Sequence, residues 1–257
     1  MLKLYSWNVN GIRAVKNKGE FDRFLEAHQP DILGIQETKA SPDQLSDDLL
    51  KPHGYTSYWS SSVVKKGYSG VALYSKHAPK QVSLGLGIPA YDDEGRTIVA
   101  EYEDFVFITA YFPNGSRDHS RVPFKMQYKA DFLAYINGWR AKGKPVIFCG
   151  DVNTSHQPLD LARPKQNEKT TGFMPEERAW LDKLLGEEGY IDTFRALHPQ
   201  DVAYSWWSNI GNAREKNIGW RLDYFIVSAD VMPRVQSASI HPDVYGSDHC
   251  PVSLVLA

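Results

Sequence analysis

The chain has 257 residues, 42% apolar and 23% charged, with a formal net charge of −2. These values are ordinary for a soluble globular protein long enough to bury a sizeable core without staples. They exclude a globally basic nucleic-acid binder, so any phosphate-binding surface must be a local patch.

The opening "MLKLYSWNVN" lacks the apolar run of a signal peptide, and no stretch is long and apolar enough to span a bilayer. "LKLYSWN" and "DILGIQE" read as strands. Between them, "GEFDRFLEAHQ" reads as an amphipathic helix, with Phe21, Phe24, Leu25 and His28 at helical spacing. "SPDQLSDDLL" announces a second helix, capped by Ser41 with Pro42 in its first turn. From Tyr55 to Ala110 the signals are all strand: "YTSYWS", "GVALYS", "KQVSLG", "TIVAEYE" and "DFVFITAYF". A long helix follows over Val122–Lys142, then the strand "PVIFCGD", the helix "PEERAWLDKLLGE" and late strands in "RLDYFIVS", "RVQSASIHP" and "PVSLVLA". Interleaved helices and hairpin-connected strands favour mixed sheets over a purely parallel one. No Gly-, Pro- or Ser-rich linker divides the chain, which predicts one domain over 1–257. Cys149 and Cys250 have neither metal-ligand spacing nor a disulfide framework, which predicts a reducing, cytoplasmic setting.

Polar groups that are expensive to bury gather at strand ends. Asn8 and Asn10 close the first strand and Glu37 the second; Tyr111 and Asn114 follow "FITA", and Asp151 and Asn153 follow "VIFCG". Asp223 interrupts an apolar strand in "GWRLDYF", and "GSDHCP" supplies Asp248 and His249. Taken singly, most have a bland reading. An Asn at a strand exit is usually turn chemistry, and Glu37 could be a surface acid. Asp223 is harder to dismiss, because a carboxylate in an apolar strand needs a partner. Strand ends are also where a rigid scaffold can assemble a site from distant positions.

Oxygen ligands, namely Glu37 and Asp248 with Asn8 and Asp151 as further candidates, suit Mg²⁺ or Mn²⁺ rather than zinc. No P-loop, H-E-x-x-H or G-x-S-x-G motif is present, and "GLGIPA" lacks the rest of a dinucleotide fingerprint. A metal, a base and hydrogen-bond donors are the needs of phosphodiester hydrolysis. Asp151 could act as base, Asn153 and His249 as donors to phosphate oxygens, and Asp223 as the carboxylate that orients His249.

"WNVNGIRA", "DILGIQETK", "KGYSGVALYSK", "YFPNG", "GDVNTSHQPLDLARPK", "GFMPEERAW", "YSWWS", "GWRLDYF" and "GSDHCP" occur in that order from residue 7 to residue 251. This set resembles the exonuclease III family of apurinic/apyrimidinic (AP) endonucleases, within the deoxyribonuclease-I-like phosphodiesterases. The resemblance implies a four-layer α/β sandwich, with two mixed β-sheets packed face to face and flanked by helices. It implies Mg²⁺-dependent cutting 5′ to an abasic site in double-stranded DNA, leaving a 3′-hydroxyl, with some action on blocked 3′ ends. By the same resemblance Glu37 is the principal metal ligand, with Asn8, Asp151, Asn153 and Asp248 completing the metal set. Asp151 matches the proton-transferring acid, Asn153 and Asn114 the phosphate-orienting amides, Tyr111 the active-site phenol, and Asp223–His249 the acid–imidazole dyad. Whether Asp151 or Tyr111 moves the proton, and whether one metal acts or two, stays open. Some members carry an acid where Asn10 stands, so Asn10 is a weak ligand candidate. The chain begins at its first strand, without the N-terminal extension of some eukaryotic relatives, so no redox-regulatory role is expected.

Three basic groups are candidates for the DNA surface: Arg13, Lys16 and Lys18; Lys65 and Lys66; and Arg117, Arg121, Lys125 and Lys129. They read either as solvated charge or as phosphate clamps. Arg117 matches a position that enters the duplex. Trp206, Trp220 and Leu222, by resemblance, line an apolar pocket for the flipped, baseless sugar. The alternatives are a predominant 3′→5′ exonuclease or 3′-phosphodiesterase, an endonuclease for damaged bases such as uracil, and a catalytically silent DNA-binding module. A monomer with no membrane partner, nucleoid-associated if prokaryotic, is expected.

Overall fold

The computed structural model describes residues 1–257. Its first strand, β1 (Leu2–Asn8), is buried continuously from Leu4 to Asn8, as a strand covered on both faces must be. In chain order there follow α1 (Ile12–Asn17), α2 (Glu20–His28), β2 (Ile32–Gln36), α3 (Asp47–Leu50), β3 (Thr56–Ser60), β4 (Val71–Ser75), β5 (Gln81–Leu84), α4 (Pro89–Asp92), β6 (Thr97–Glu101) and β7 (Val106–Tyr111). The second half holds α5 (Val122–Ala141), β8 (Val146–Asp151), α6 (Pro164–Asn167), α7 (Pro175–Asp182), β9 (Tyr190–Asp192), α8 (Thr193–Leu197), β10 (Trp206–Trp207), β11 (Gly219–Trp220), β12 (Asp223–Ser228), β13 (Val235–Ile240) and β14 (Val252–Leu256).

The strands form two six-stranded mixed sheets, ordered β13-β14-β1-β2-β4-β3 and β5-β6-β7-β8-β12-β9, and a separate ribbon of β10 and β11. Each large sheet has one parallel pair, β1 with β2 and β7 with β8, and its other pairs are antiparallel. Between the sheets lies a core that includes Leu4, Ile32, Leu73 and Leu254 from one and Ile98, Phe107, Ile147 and Phe225 from the other. Ile12, Phe21, Phe24 and Leu49 bring α1, α2 and α3 onto the outer face of the first sheet. Tyr128, Phe132 and Ile136 of α5, with Trp180 and Leu181 of α7, cover the second. The expected four-layer sandwich is therefore present.

Several elements depart from the sequence reading: the helix expected from Ser41 splits into a 3₁₀ turn, Pro42–Gln44, and the short α3. The helix expected over 175–187 is α-helical only to Asp182, and Lys183–Glu187 widen into a π-turn. β9 and the β10–β11 ribbon were not anticipated, since strands of two or three residues carry no readable alternation.

Register positions the site. Tyr111 pairs with Asp151 across the parallel β7–β8 ladder, and Asp223 opens β12 opposite Asp151. Asn8 closes β1 beside Gln36, so Glu37 is the next residue out. The two parallel pairs thus end in the same region. Gly150 permits the close strand approach there: its φ is 138°, and a Cβ would lie 1.9 Å from the Ala110 carbonyl oxygen.

Candidate active site

A cleft of ≈ 420 Å³ opens where those strand ends meet. Its walls include Glu37, Tyr111, Asn114, Asp151, Asn153, Asp248 and His249 on the polar side, and Trp206, Trp220 and Leu222 on the apolar side. Asp223 lies just behind His249, and Asn8 just beneath Asp151.

Asp151 is the hub. Its Oδ2 accepts the Asn8 side-chain amide at 2.9 Å and the Asn153 amide at 3.3 Å; its Oδ1 accepts the Asn153 backbone N–H at 2.8 Å. The Asn8–Asp151 bond joins the two sheets. Burial raises the Asp151 carboxyl to about 7, with the His249 charge opposing and the Asp223 and Glu37 carboxylates adding to the rise. His249 Nε2 lies 3.9 Å from Asp151 Oδ2, and His249 Nδ1 is 2.8 Å from Asp223 Oδ2. Burial by itself would strip the imidazole of its proton, but the charge and hydrogen bond of Asp223, with help from Asp151 and Asp248, carry it up to about 10. His249 is therefore an imidazolium at neutral pH, its Nδ1–H donated to Asp223. Asp223 is steadied in turn by the Ser205 hydroxyl at 2.6 Å.

The second carboxylate group sits across the cleft. The Tyr111 hydroxyl donates to Glu37 Oε1 at 2.8 Å, and burial, reinforced by Glu37 and Asp151, pushes that phenol well above its ordinary value. It stays neutral and donates. Asp248 accepts from the Asn10 amide at 2.9 Å and from the Trp206 indole N–H at 3.2 Å. Burial opposes its ionisation, but the His249 charge and those hydrogen bonds hold its carboxyl below the usual range. Lys39 stands 3.6 Å from Glu37 Oε1 and donates to Asn10 Oδ1. Glu37, Asn10 and Asn153 all have positive φ (54°, 47° and 53°), a cost of about 1–3 kcal/mol each that active sites commonly carry.

No three Asp, Glu, His or Cys side chains stand close enough to hold an ion by themselves. The cleft does present the carboxylates of Glu37 and Asp248 beside neutral oxygen donors. That set fits a hard dication of the Mg²⁺ kind, which keeps several waters and completes its shell with substrate oxygens. Asn8 is fully buried, donating to Asp151 and accepting the Asn10 backbone N–H, so it braces Asp151 rather than facing the cleft. Asn153 and Asn10 also have both ends of their amides engaged.

The sequence profile of the Endonuclease/Exonuclease/phosphatase family matches residues 5–249. The chain belongs to this family. Its relatives include the Exodeoxyribonuclease of Bacillus subtilis (strain 168), 46% identical over 99% of both chains. DNA repair nuclease APEX1 of Danio rerio is 45% identical over 100% of this chain and 82% of its own. Among solved structures, an AP endonuclease from Archaeoglobus fulgidus superposes with a TM-score of 0.90, at 29% identity over 100% and 99% of the two chains. The 3′ phosphatase NExo from Neisseria, bound to product DNA hairpin, superposes with a TM-score of 0.91 at 26% identity, each chain covered in full. The protein is thus a phosphodiester-cleaving enzyme of a family in which metal dependence is typical.

Within this family frame the apolar wall has its own support. Trp206 and Trp220 pair across the β10–β11 ribbon with their rings edge-to-face, centroids 6.3 Å apart. An isolated β-bridge ties Trp206 to His249, so the wall and the acid–imidazole corner share backbone. Arg117 lies outside the cleft lining, on an exposed turn after Asn114.

The basic groups divide. Lys125 and Lys129 have no exposed surface and cannot clamp phosphate, which corrects the surface reading of the long helix. They fall on the same stripe of α5 as Val122, Phe132 and Ile136, so helical spacing already placed them inward. Arg121 is bound by Glu94, and Lys16 by Asp22 and Asp48. Arg13, Lys18, Lys65, Lys66 and Arg117 remain exposed. Sequence reasoning also missed Thr170, Thr171 and Gly172 in the cleft wall and Ser205 behind Asp223. Nothing in their local pattern marks them, because their role comes from long-range proximity.

Proposed function

We propose that the protein is a DNA-repair AP endonuclease: it hydrolyses the phosphodiester 5′ to an abasic site in double-stranded DNA and leaves a 3′-hydroxyl. A secondary 3′→5′ exonuclease or 3′-phosphodiesterase activity on blocked 3′ ends belongs to the same reading. The observation that carries it is the Asp151 hub: a carboxylate raised to about 7, braced by Asn8 and Asn153, and 3.9 Å from an imidazole held by Asp223. The names and near-complete coverage of the relatives support DNA as the substrate.

In this mechanism Asp151 takes the proton of the attacking water, since a carboxylate with this value is ionised in part near neutrality. Burial and the Glu37 and Asp151 charges hold the Tyr111 phenol well above its ordinary value, so Tyr111 serves as a donor. The His249 imidazolium donates Nε2–H to a non-bridging phosphate oxygen, and the Asn114 amide, held in place by Asn153 Oδ1, orients the phosphate. Glu37 and Asp248 would hold Mg²⁺, with Mn²⁺ as a substitute, which would supply charge neutralisation at the phosphate and the leaving oxygen. Trp206, Trp220 and Leu222 receive the sugar. An abasic nucleotide is cheap to unstack, and the two indoles offer its sugar an apolar wall. The site draws on both sheets, so the chain acts as one catalytic unit, and a monomer suffices.

The test is a duplex carrying one abasic analogue, incubated with Mg²⁺ or with EDTA, with the cut mapped to one nucleotide. A single Mg²⁺-dependent cut 5′ to the lesion is the expected product. Degradation from 3′ ends with the lesion strand otherwise intact would overturn the endonuclease assignment.

A further inference from the structure

The buried lysines of α5 point into a network that the proposed reaction does not use directly. Lys125 Nζ donates to the Asn153 carbonyl at 2.6 Å and to Glu177 Oε1 at 2.6 Å, and neither charged side chain has any exposed surface. Lys129 donates to Thr154 Oγ1 at 2.8 Å and to the Glu177 carbonyl at 3.2 Å. Glu177 sits in the first turn of α7 and accepts four donors. Its Oε1 takes Lys125 and the Thr171 hydroxyl (2.9 Å); its Oε2 takes the backbone N–H groups of Gly172 (2.5 Å) and Met174 (3.1 Å). Only a carboxylate can do this, because an amide in either orientation would turn its NH₂ toward donors.

The segment held by Glu177 is part of the cleft. Thr170, Thr171 and Gly172 line it, and Gly172 (φ 99°) fills the gap between two site residues: a Cβ there would lie 3.2 Å from the Trp220 ring and 3.3 Å from the Asn153 carbonyl oxygen. Asn153 in turn bonds Asp151 and accepts from the Asn114 amide at 3.2 Å. A buried ion pair is weak evidence for stability, since well-packed apolar residues often serve as well. This one joins two sides of a cleft.

We propose that Lys125 and Glu177 are positioning residues: their buried pair locks Asn153 and the Thr170–Gly172 wall into one unit, fixing the distance between the groups that orient the phosphate and the indole that receives the sugar. This rests on the reading of the cleft as an abasic-site phosphodiesterase. Neither residue touches substrate. Each acts through Asn153, Thr171 and Gly172.

The test uses the full chain with Lys125→Met combined with Glu177→Gln. The pair of changes removes both charges of the buried ion pair together, and Lys129 keeps its bonds to Thr154 Oγ1 and the Glu177 carbonyl. The new amide oxygen can still accept from Gly172 and Met174 while its NH₂ donates to Thr171 Oγ1, so the tie to Asn153 alone is lost. On a duplex with one abasic analogue, kcat should fall about 10–100-fold, the scale expected for a displaced catalytic group. The Kd for the same duplex in EDTA should stay within about 3-fold, a split that loss of folded protein does not produce. A kcat within about 3-fold of wild type overturns the inference, as does loss of kcat and affinity in step. Should the double variant not fold, Thr171→Val, nearly isosteric, removes one strand of the same tether. A fall in kcat of about 3–10-fold with unchanged melting temperature supports the inference, and no fall overturns it. Wild-type protein that leaves the abasic duplex intact overturns the functional reading itself, whereas a cutting wild type with equally active variants overturns this inference alone.

Discussion

At the scale of single residues the site works by holding charges that would otherwise be lost. Asp223 is the clearest case: its carboxylate carries the His249 imidazolium from the ordinary 6.5 up to about 10 against burial. Activity should therefore rise with pH as Asp151 loses its proton near 7 and decline as His249 loses its own near 10. In Asp223→Asn the alkaline limb should move toward neutrality by more than about one unit, with kcat down about 10²–10⁴-fold, as for other imidazoles that lose their orienting acid. A pH–rate profile whose alkaline limb does not move would sink the dyad. The same shift governs stability. Because the folded value lies above the unfolded one, the His249 contribution is fully present below about 6.5 and is lost as pH rises through about 10. Glu37→Gln tests the other carboxylate. Its hydrogen bond from Tyr111 can survive, but the charge for the ion is gone. Mn²⁺ binding should weaken at least about tenfold, read by electron paramagnetic resonance, and kcat should fall at least about 10²-fold.

At the scale of elements, strands were legible wherever an apolar run was long enough. β1, β2, β4, β7, β8, β12 and β14 all coincide with runs visible in the sequence, and their polar last residues converge as expected. The two-residue β10 and β11 were not legible, although they build the apolar wall, because their partner is fixed by a long-range bridge to His249. The long helix shows the opposite error. Its lysines read as surface charge by residue type, while their 3.6-residue spacing put them on the core face, and spacing was the better guide. The ribbon supplies a prediction at this scale. Trp220→Ala removes one indole of an edge-to-face pair and opens the wall beside Gly172. Discrimination between an abasic and a base-bearing nucleotide, measured as the ratio of kcat/KM values, should drop by about 10-fold or more, since losing a ring's contact and packing is worth on the order of 1.5 kcal/mol. An unchanged ratio would remove Trp220 from the recognition surface.

At the scale of the whole molecule, a net charge of −2 has to coexist with binding a polyanion. The fold resolves this by spending its basic residues unequally. Of the three basic groups in the sequence, Lys125 neutralises the buried Glu177 with Lys129 buried beside the pair, Lys16 neutralises Asp22 and Asp48, and Arg121 neutralises Glu94. Only the exposed members can release counterions from DNA. Lys65 and Lys66 are the sharpest example. They stand on an exposed loop whose far end, at Ser69 and Gly70, accepts the backbone N–H groups of Lys39 and Thr38, next along the chain from Glu37. Each phosphate neutralised contributes about −0.9 to the slope of log K against log salt. Lys66→Ala should therefore flatten that slope by about 0.9 while leaving the cleavage position unchanged. The paired replacement of Lys125 and Glu177 should leave the slope as it is, because a buried ammonium meets no counterion. If both variants flatten the slope equally, α5 faces DNA after all, and the partition of charge between core and substrate described here is wrong.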